Sequence, residues 1–285
     1  MSIFEAIILG MVQGITEFLP VSSSGHLVLL QKIFRIEEPA LIFDTAVHGG
    51  TLIAVFIVLR RDIWNILRRI FQPLTFYLVI ATIPAVIAAL LFKNRIEDAF
   101  SSGALLGFAF LITSVLLITS EILYRRAGSG FLTKLEGAAP ARFQDEMNWI
   151  DAIAIGLLQA VAIIPGISRS GATISAALSR RLDRDFAARF SFLLSIPAIL
   201  GALVLQAKEL AGAAAGQTPD AAAGAGTIGL LPIAAGTICA GIVAFFSMRL
   251  FLKMVREHSL LVFALYTGVL GLLVLVDKFG THFFF

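Results

Sequence analysis

Apolar residues run along this chain in long blocks separated by short polar intervals. Six blocks, at about 40–59, 73–92, 103–123, 186–205, 228–251 and 260–276, approach the ~20 residues that carry a helix across a bilayer. Pro84, Pro197 and Pro232 fall inside or near the ends of three of them, which membrane helices tolerate. Two further regions break the pattern. In each, an apolar run (3–19; 150–164) meets a Pro/Ser/Gly interruption and then a second short run (26–34; 172–178). Neither run is long enough to span, and the interruption is too polar to face lipid. The pattern predicts two re-entrant helical hairpins, at 3–34 and 150–178.

The interruptions are two copies of one segment. Residues 10–25 read GMVQGITEFLPVSSSG and residues 156–171 read GLLQAVAIIPGISRSG. Without gaps, Gly10 aligns with Gly156, Gln13 with Gln159, Ser22 with Ser168, Ser24 with Ser170 and Gly25 with Gly171. The copies differ where chemistry would differ: Glu17 against Ile163, Ser23 against Arg169, His26 against Ala172. A duplicated polar segment within apolar sequence points to a site assembled from two halves.

The expected fold is therefore an all-α polytopic membrane protein of two inverted-topology repeats. Each repeat is a re-entrant hairpin followed by three transmembrane helices. The first covers 1–123 and the second 149–278, joined by a cytoplasmic connector at 124–148 and followed by a tail at 279–285. The interval 211–226, rich in Ala and Gly, reads as another exposed connector. A hairpin returns to its own side and three spans end on the other, so the second repeat enters from the opposite face and the tips can meet. Charge orients this arrangement. Of the 22 Lys and Arg, six (Lys32, Arg35, Lys93, Arg95, Lys208, Lys278) fall on the side of the N-terminus, fifteen on the other, and Arg169 sits at a tip. That bias puts both termini outside and the basic loops in the cytoplasm.

Composition agrees. Hydrophobic residues make up 58% of the chain and charged residues 14%, with a mean hydropathy of +0.92, too apolar for a soluble domain of this length. The pI near 9.2 reflects loop topology rather than a nucleic-acid partner. Cys239 is alone, which excludes a disulfide framework. The N-terminus lacks a basic leader, and the first copy begins almost at once, so a cleaved signal peptide is not expected.

The tips carry the candidate chemistry. Gln13 and Glu17 are four apart and share a helix face. A carboxylate at membrane depth usually marks function. Ser22, Ser23 and Ser24, followed by Gly25 and His26, start a returning half-helix whose free N–H groups favour an anion. His26, beside Glu17 and the serine run, is a candidate acid, base or nucleophile. In the second tip, Arg169 lies among Gly166, Ser168, Ser170 and Thr173. A guanidinium cannot be neutralised, so it needs an anion there. Glu17 as its structural partner is one answer. A phosphate cradle completed by the hydroxyls is the other, and it suits a highly charged ligand such as a pyrophosphate. Asp44 and His48, also four apart, read as a pair within the bundle rather than as cavity residues.

At these residues the chain resembles the undecaprenyl-pyrophosphate phosphatases, the bacitracin-resistance family, over nearly its whole length. The carriers are Gln13-Gly14-Ile15-Thr16-Glu17 running into Pro20-Val21-Ser22-Ser23-Ser24-Gly25-His26, and the PGxSRSxxT motif from Pro165 to Thr173. The resemblance implies a bacterial integral membrane enzyme that removes the terminal phosphate of undecaprenyl pyrophosphate, leaving the monophosphate carrier for reuse in cell-wall synthesis. It also implies inverted repeats and a divalent cation, Mg2+ or Ca2+, for which Glu17 and Gln13 are the candidate ligands. Gln13 stands where the family often has a Glu. The expected partners are the polyprenyl pyrophosphate, membrane lipid and, for quaternary structure, a second copy as a homodimer. The expected location is the inner (plasma) membrane with the site open to the outer side. Arg169, the half-helix N-termini and the cation would neutralise the pyrophosphate, with Ser23 attacking and His26 as base and then acid. Attack by His26 itself or by water is the alternative. A lipid-phosphate transporter with the same architecture is the rival from another class.

Overall fold

The structure is a computed structural model describing all residues except 37–40, 93–94, 97–98, 100–102, 104, 129–140, 215–227 and 284–285. Much of the expected connectors at 124–148 and 211–226, with Lys93 and Lys134, lies outside the described residues.

The described residues form an all-helical polytopic bundle. The first half contains α1 (Ile3–Thr16), α2 (Ser23–Ile33), α3 (Leu41–Val58), α4 (Arg60–Arg68), α5 (Pro73–Leu91) and α6 (Leu106–Gly128). The second contains α7 (Trp149–Val161), α8 (Arg169–Ser179), α9 (Arg184–Ala214), α10 (Leu230–Glu257) and α11 (Leu261–Val276). The six apolar blocks correspond to α3, α5, α6, α9, α10 and α11. Five of these helices are long and apolar enough to cross a membrane, and α3 joins them if counted with α4, from which it is bent by 76°. Large side chains such as Val79, Leu90, Ile238, Phe246, Val262 and Leu265 are exposed along them, the surface expected where the solvent is lipid. The separate helix α4 was not anticipated. At nine residues it is too short and too polar to show as a span in the hydropathy pattern.

Each interrupted region is a pair of short helices. Pro20 and the Pro165-Gly166 step stop the first helix of each pair, since proline cannot continue the hydrogen-bond ladder. The first half-helix of each pair packs on a span of the other repeat: α1 on α10 and α7 on α5. The aligned Gly10 and Gly156 make this approach possible. A Cβ on Gly156 would lie 2.7 Å from the Ala81 carbonyl oxygen, and one on Gly10 would overlap the Gly236 carbonyl. The tips themselves touch, and a Cβ on Gly25 would lie 3.0 Å from the Gly166 Cα.

Ion pairs gather particular helix ends at one end of the bundle. Arg189 bridges Asp62 and Asp185, and Arg256 also binds Asp185. Arg184 binds Glu121, and buried Asp151 holds Arg142 and Arg180. These contacts unite the C-terminal ends of α6, α8 and α10 with the N-terminal ends of α4, α7 and α9. The charge count assigned the same ends to one face.

Candidate active site

Both returning half-helices begin in the same way. Ser22 caps α2 by accepting from the Gly25 N–H (3.3 Å), and Ser168 caps α8 by accepting from the Gly171 N–H (3.0 Å). Each satisfies a donor that the helix itself cannot. The next residue is Ser23 in one copy and Arg169 in the other. Two helix N-termini thus present a hydroxyl and a guanidinium to one place.

Between them lies Glu17, the C-cap of α1, almost fully buried. Its Oε2 accepts from the Ser23 hydroxyl (2.6 Å) and from Gln13 Nε2 (2.9 Å). Its Oε1 accepts from Arg169 Nη2. Arg169 also donates to the Ser195 carbonyl of α9 (3.5 Å). Phe18, the next residue, packs edge-on against Phe192 at 5.0 Å between centroids and fixes the tip to the same helix.

A cavity of about 310 Å³ opens on this cluster. Glu17, Ser22, Ser23, Ser24, Ser168 and Arg169 line its polar side, and Ala162, Ile163, Ala198, Ile199, Ala202 and Leu203 its apolar side. Asp44, Thr45 and His48 of α3 complete the wall, which corrects the reading of Asp44 and His48 as a pair remote from the cavity. His48 Nδ1 lies 2.6 Å from the Asp44 carbonyl oxygen, so it donates there, and Nε2 stands 3.4 Å from Glu17 Oε2. The Asp44 carboxylate accepts from Gln31 (2.7 Å). The i, i+4 spacing was visible in the sequence. Which helix face turned to the tips was set by the packing of α3 on α9 and α10.

Other expected residues contact neighbouring elements. His26 Nδ1 is 2.6 Å from the Ser22 carbonyl oxygen, to which it donates, and Nε2 is 2.7 Å from the Tyr266 hydroxyl of α11. Both ring nitrogens are engaged, the ring also packs edge-on against Phe110 at 5.4 Å, and His26 is not among the cavity's lining residues. Ser170 donates to the Leu19 carbonyl (2.9 Å), tying one tip to the other. Thr173 pairs with Ser191 (2.6 Å). Gly166, at φ +93°, makes the turn before Ser168, whose N–H donates to Thr113 (3.0 Å). Tyr266 and Thr113 carried no sequence signal, since each is one of a few uncharged polar residues scattered in an apolar span.

Glu17 and Gln13, the expected ligands of a divalent cation, lie together, and Gln13 Oε1 is buried with no hydrogen-bond partner. Among the described residues no three His, Cys, Asp or Glu side chains gather about one point. The Glu17 oxygens already serve a guanidinium, a hydroxyl and an amide, and Gln13 turns a donor toward Glu17. What the arrangement can do is chemical in another sense: a hydroxyl poised on a carboxylate, beside an arginine and two positive helix ends, can attack a bound phosphoryl group.

Comparison with known proteins agrees in kind. Residues 6–273 match the family described as Bacitracin resistance protein BacA. A protein of Carboxydothermus hydrogenoformans named undecaprenyl-diphosphatase is 42% identical over 276 residues, covering 97% of both chains. Undecaprenyl-diphosphatase 3 of Bacillus cereus is 39% identical over 283 residues, covering 99% of this chain and 100% of the relative. A protein of Methanosphaera stadtmanae with the same diphosphatase name is 36% identical, covering 97% of this chain and 98% of that one. With the match running through both tips and nearly every helix, the chain belongs to the BacA family of bacitracin resistance proteins.

Proposed function

We infer that this chain is a membrane phosphatase that hydrolyses undecaprenyl pyrophosphate to undecaprenyl phosphate and inorganic phosphate, an activity that recycles the lipid carrier and opposes bacitracin. The family match and the names of the relatives support the reaction. The observation that carries the mechanism is the 2.6 Å hydrogen bond from Ser23 to Glu17, with Arg169 on the carboxylate's other oxygen.

In this mechanism the terminal phosphate enters between the two half-helix N-termini and takes donors from Arg169. Ser23 Oγ attacks the terminal phosphorus while Glu17 takes its proton. The bond to the bridging oxygen breaks, and undecaprenyl phosphate leaves with the electron pair. Once Glu17 has passed that proton on, it takes a proton from water, which attacks the phosphoserine; the Oγ–P bond breaks, Glu17 returns the proton to Ser23 Oγ, and inorganic phosphate leaves. His48 Nε2, 3.4 Å from Glu17 Oε2, is placed to pass the proton onward. His26 acts through structure here: it braces the Ser22 turn from behind. A divalent ion is read as arriving with the pyrophosphate, as part of the substrate. The apolar cavity wall takes the first prenyl units.

We also place the basic end of the bundle in the cytoplasm and the termini outside, with the chain in the plasma membrane. The charge bias supports this reading. A transporter would need the anion site but not a hydroxyl held on a carboxylate. The test is phosphate release from undecaprenyl pyrophosphate by purified protein, with and without a chelator. Release by wild type and none by Glu17→Gln supports the reading. Lipid movement across vesicles without release would favour transport.

A further inference from the structure

At the basic end of the bundle lies a second polar cavity, of about 330 Å³. It sits beyond the end of α3, whose last residue lies about ten residues, or about 15 Å, along the helix from His48. Its wall comprises Asp62, Asn65, Arg68, Arg69, Gln72 and Gln144, with Leu74. Donors outnumber acceptors there. Asp62, its one carboxylate, is engaged by Arg189 at 3.0 Å. Arg68 lies over the Trp64 ring at 4.9 Å, and among the described residues neither Arg68 nor Arg69 forms an ion pair. Gln72 Nε2 is shut off from water with no acceptor, although a buried donor normally finds one. The 19-residue helix α5 also starts at this point, without a side-chain cap, so its positive end faces the same space.

The surroundings are those of a membrane interface. Helix α4 turns 76° away from α3, off the line of the spans. It exposes Trp64 and Leu67, and the turn that follows exposes Ile70 and Phe71, the last 90% accessible. Arginines interleaved with bare aromatic and aliphatic side chains, with Arg68 stacked on Trp64, are what a helix at headgroup depth carries. An anion with apolar chains attached would satisfy both kinds of side chain at once. A free anion would leave the apolar rim bare.

We propose that this cavity binds the phosphate of an anionic phospholipid headgroup, with Arg68 and Arg69 as charged anchors and the Gln72 amide as a third donor. The bound lipid fixes the depth of α4 and so of α3. This site is independent of hydrolysis, and the failure of one reading leaves the other standing.

The test compares lipid retained by purified protein, by native mass spectrometry, after exchange into mixtures of phosphatidylglycerol and phosphatidylcholine. Wild type should hold phosphatidylglycerol in preference by roughly fivefold or more, the scale of one interfacial Arg. R68Q/R69Q should lose that preference. R60Q/R61Q, which removes the same charge from the same helix outside the cavity, should keep it. Gln72→Ala, which leaves both charges in place, should weaken it by at least about twofold, and this readout stands if the double variant fails to fold. Inorganic phosphate in excess should not displace the lipid. Equal loss in R60Q/R61Q and R68Q/R69Q would overturn the proposal in favour of bulk surface charge. Absence of a preference in wild type would overturn it outright. Displacement by inorganic phosphate would replace the headgroup with a free-anion site.

Discussion

The two tips are one scaffold put to two uses. Ser22 and Ser168 are aligned, and both cap a returning half-helix through the N–H three residues on. Yet Ser168 has φ −70°, ordinary for a cap, whereas Ser22 has φ +69°, a conformation that costs a non-glycine residue about 1–3 kcal/mol. The strain lies in the tip that carries Glu17 and Ser23. There the chain must bring a helix C-terminus and the next helix N-terminus close enough for Ser23 to reach Glu17 over six residues. The second tip makes no such internal contact. It supplies Arg169 from across the pseudo-repeat and otherwise braces its neighbour, through Ser170 on the Leu19 carbonyl. The glutamines divide in the same way. Gln13 binds Glu17, while its counterpart Gln159 donates to the Ala81 carbonyl (3.2 Å) and serves packing. Duplication supplies the capped half-helix twice, and divergence at Glu17 and Ser23 sets the first copy apart, the half to which the proposed mechanism assigns the reaction.

If that division is right, losses should follow it. Glu17→Gln keeps the shape but removes the proton acceptor and the partner of Arg169. Phosphate release should fall about 10²–10⁴-fold, the usual contribution of a general base, with the melting temperature showing that the bundle persists. Arg169→Lys should cost at least about tenfold, or roughly 1.4 kcal/mol of transition-state stabilisation, because lysine loses the planar fork. Near wild-type turnover in that variant would reduce Arg169 to bulk charge. His48→Ala should lower kcat by about tenfold with little change in KM, as removal of a proton relay does and loss of substrate binding does not. A rise in KM alone would count against the relay.

The smallest effect separates the caps. Ser168→Ala should destabilise the protein by about 1 kcal/mol, read as a fall in melting temperature. Ser22→Gly should be close to neutral, because glycine accepts φ > 0 and relief of strain offsets the lost cap. Equal destabilisation by both would remove the asymmetry between the tips.

Much of this was legible in the chain. Spans declare themselves by length and hydropathy, and the repeat by direct alignment. Hydroxyls were harder. Ser170 and Thr173 sit in the phosphate-like motif, and in the fold they face the Leu19 carbonyl and Ser191. A serine near a helix start can cap, brace or react, and only the partner's position distinguishes these. His26 stood beside Glu17 in sequence, but its ring points to Tyr266, 240 residues away. Asp44 and His48 were ambiguous for the opposite reason. Their spacing fixed a shared face, while the direction of that face depends on contacts between helices far apart in the chain. Helix α4 was hidden by its brevity.

The claim on which the rest depends is that Ser23, held on Glu17, is the nucleophile. The direct measurement is phosphate release by purified Ser23→Ala, with binding of undecaprenyl pyrophosphate followed alongside. Ser22 still caps α2 in this variant, so the tip should keep its shape. The account predicts a fall in turnover of about a thousandfold or more with binding retained. Retention of most of the activity would contradict it and leave water or a histidine as the attacking group.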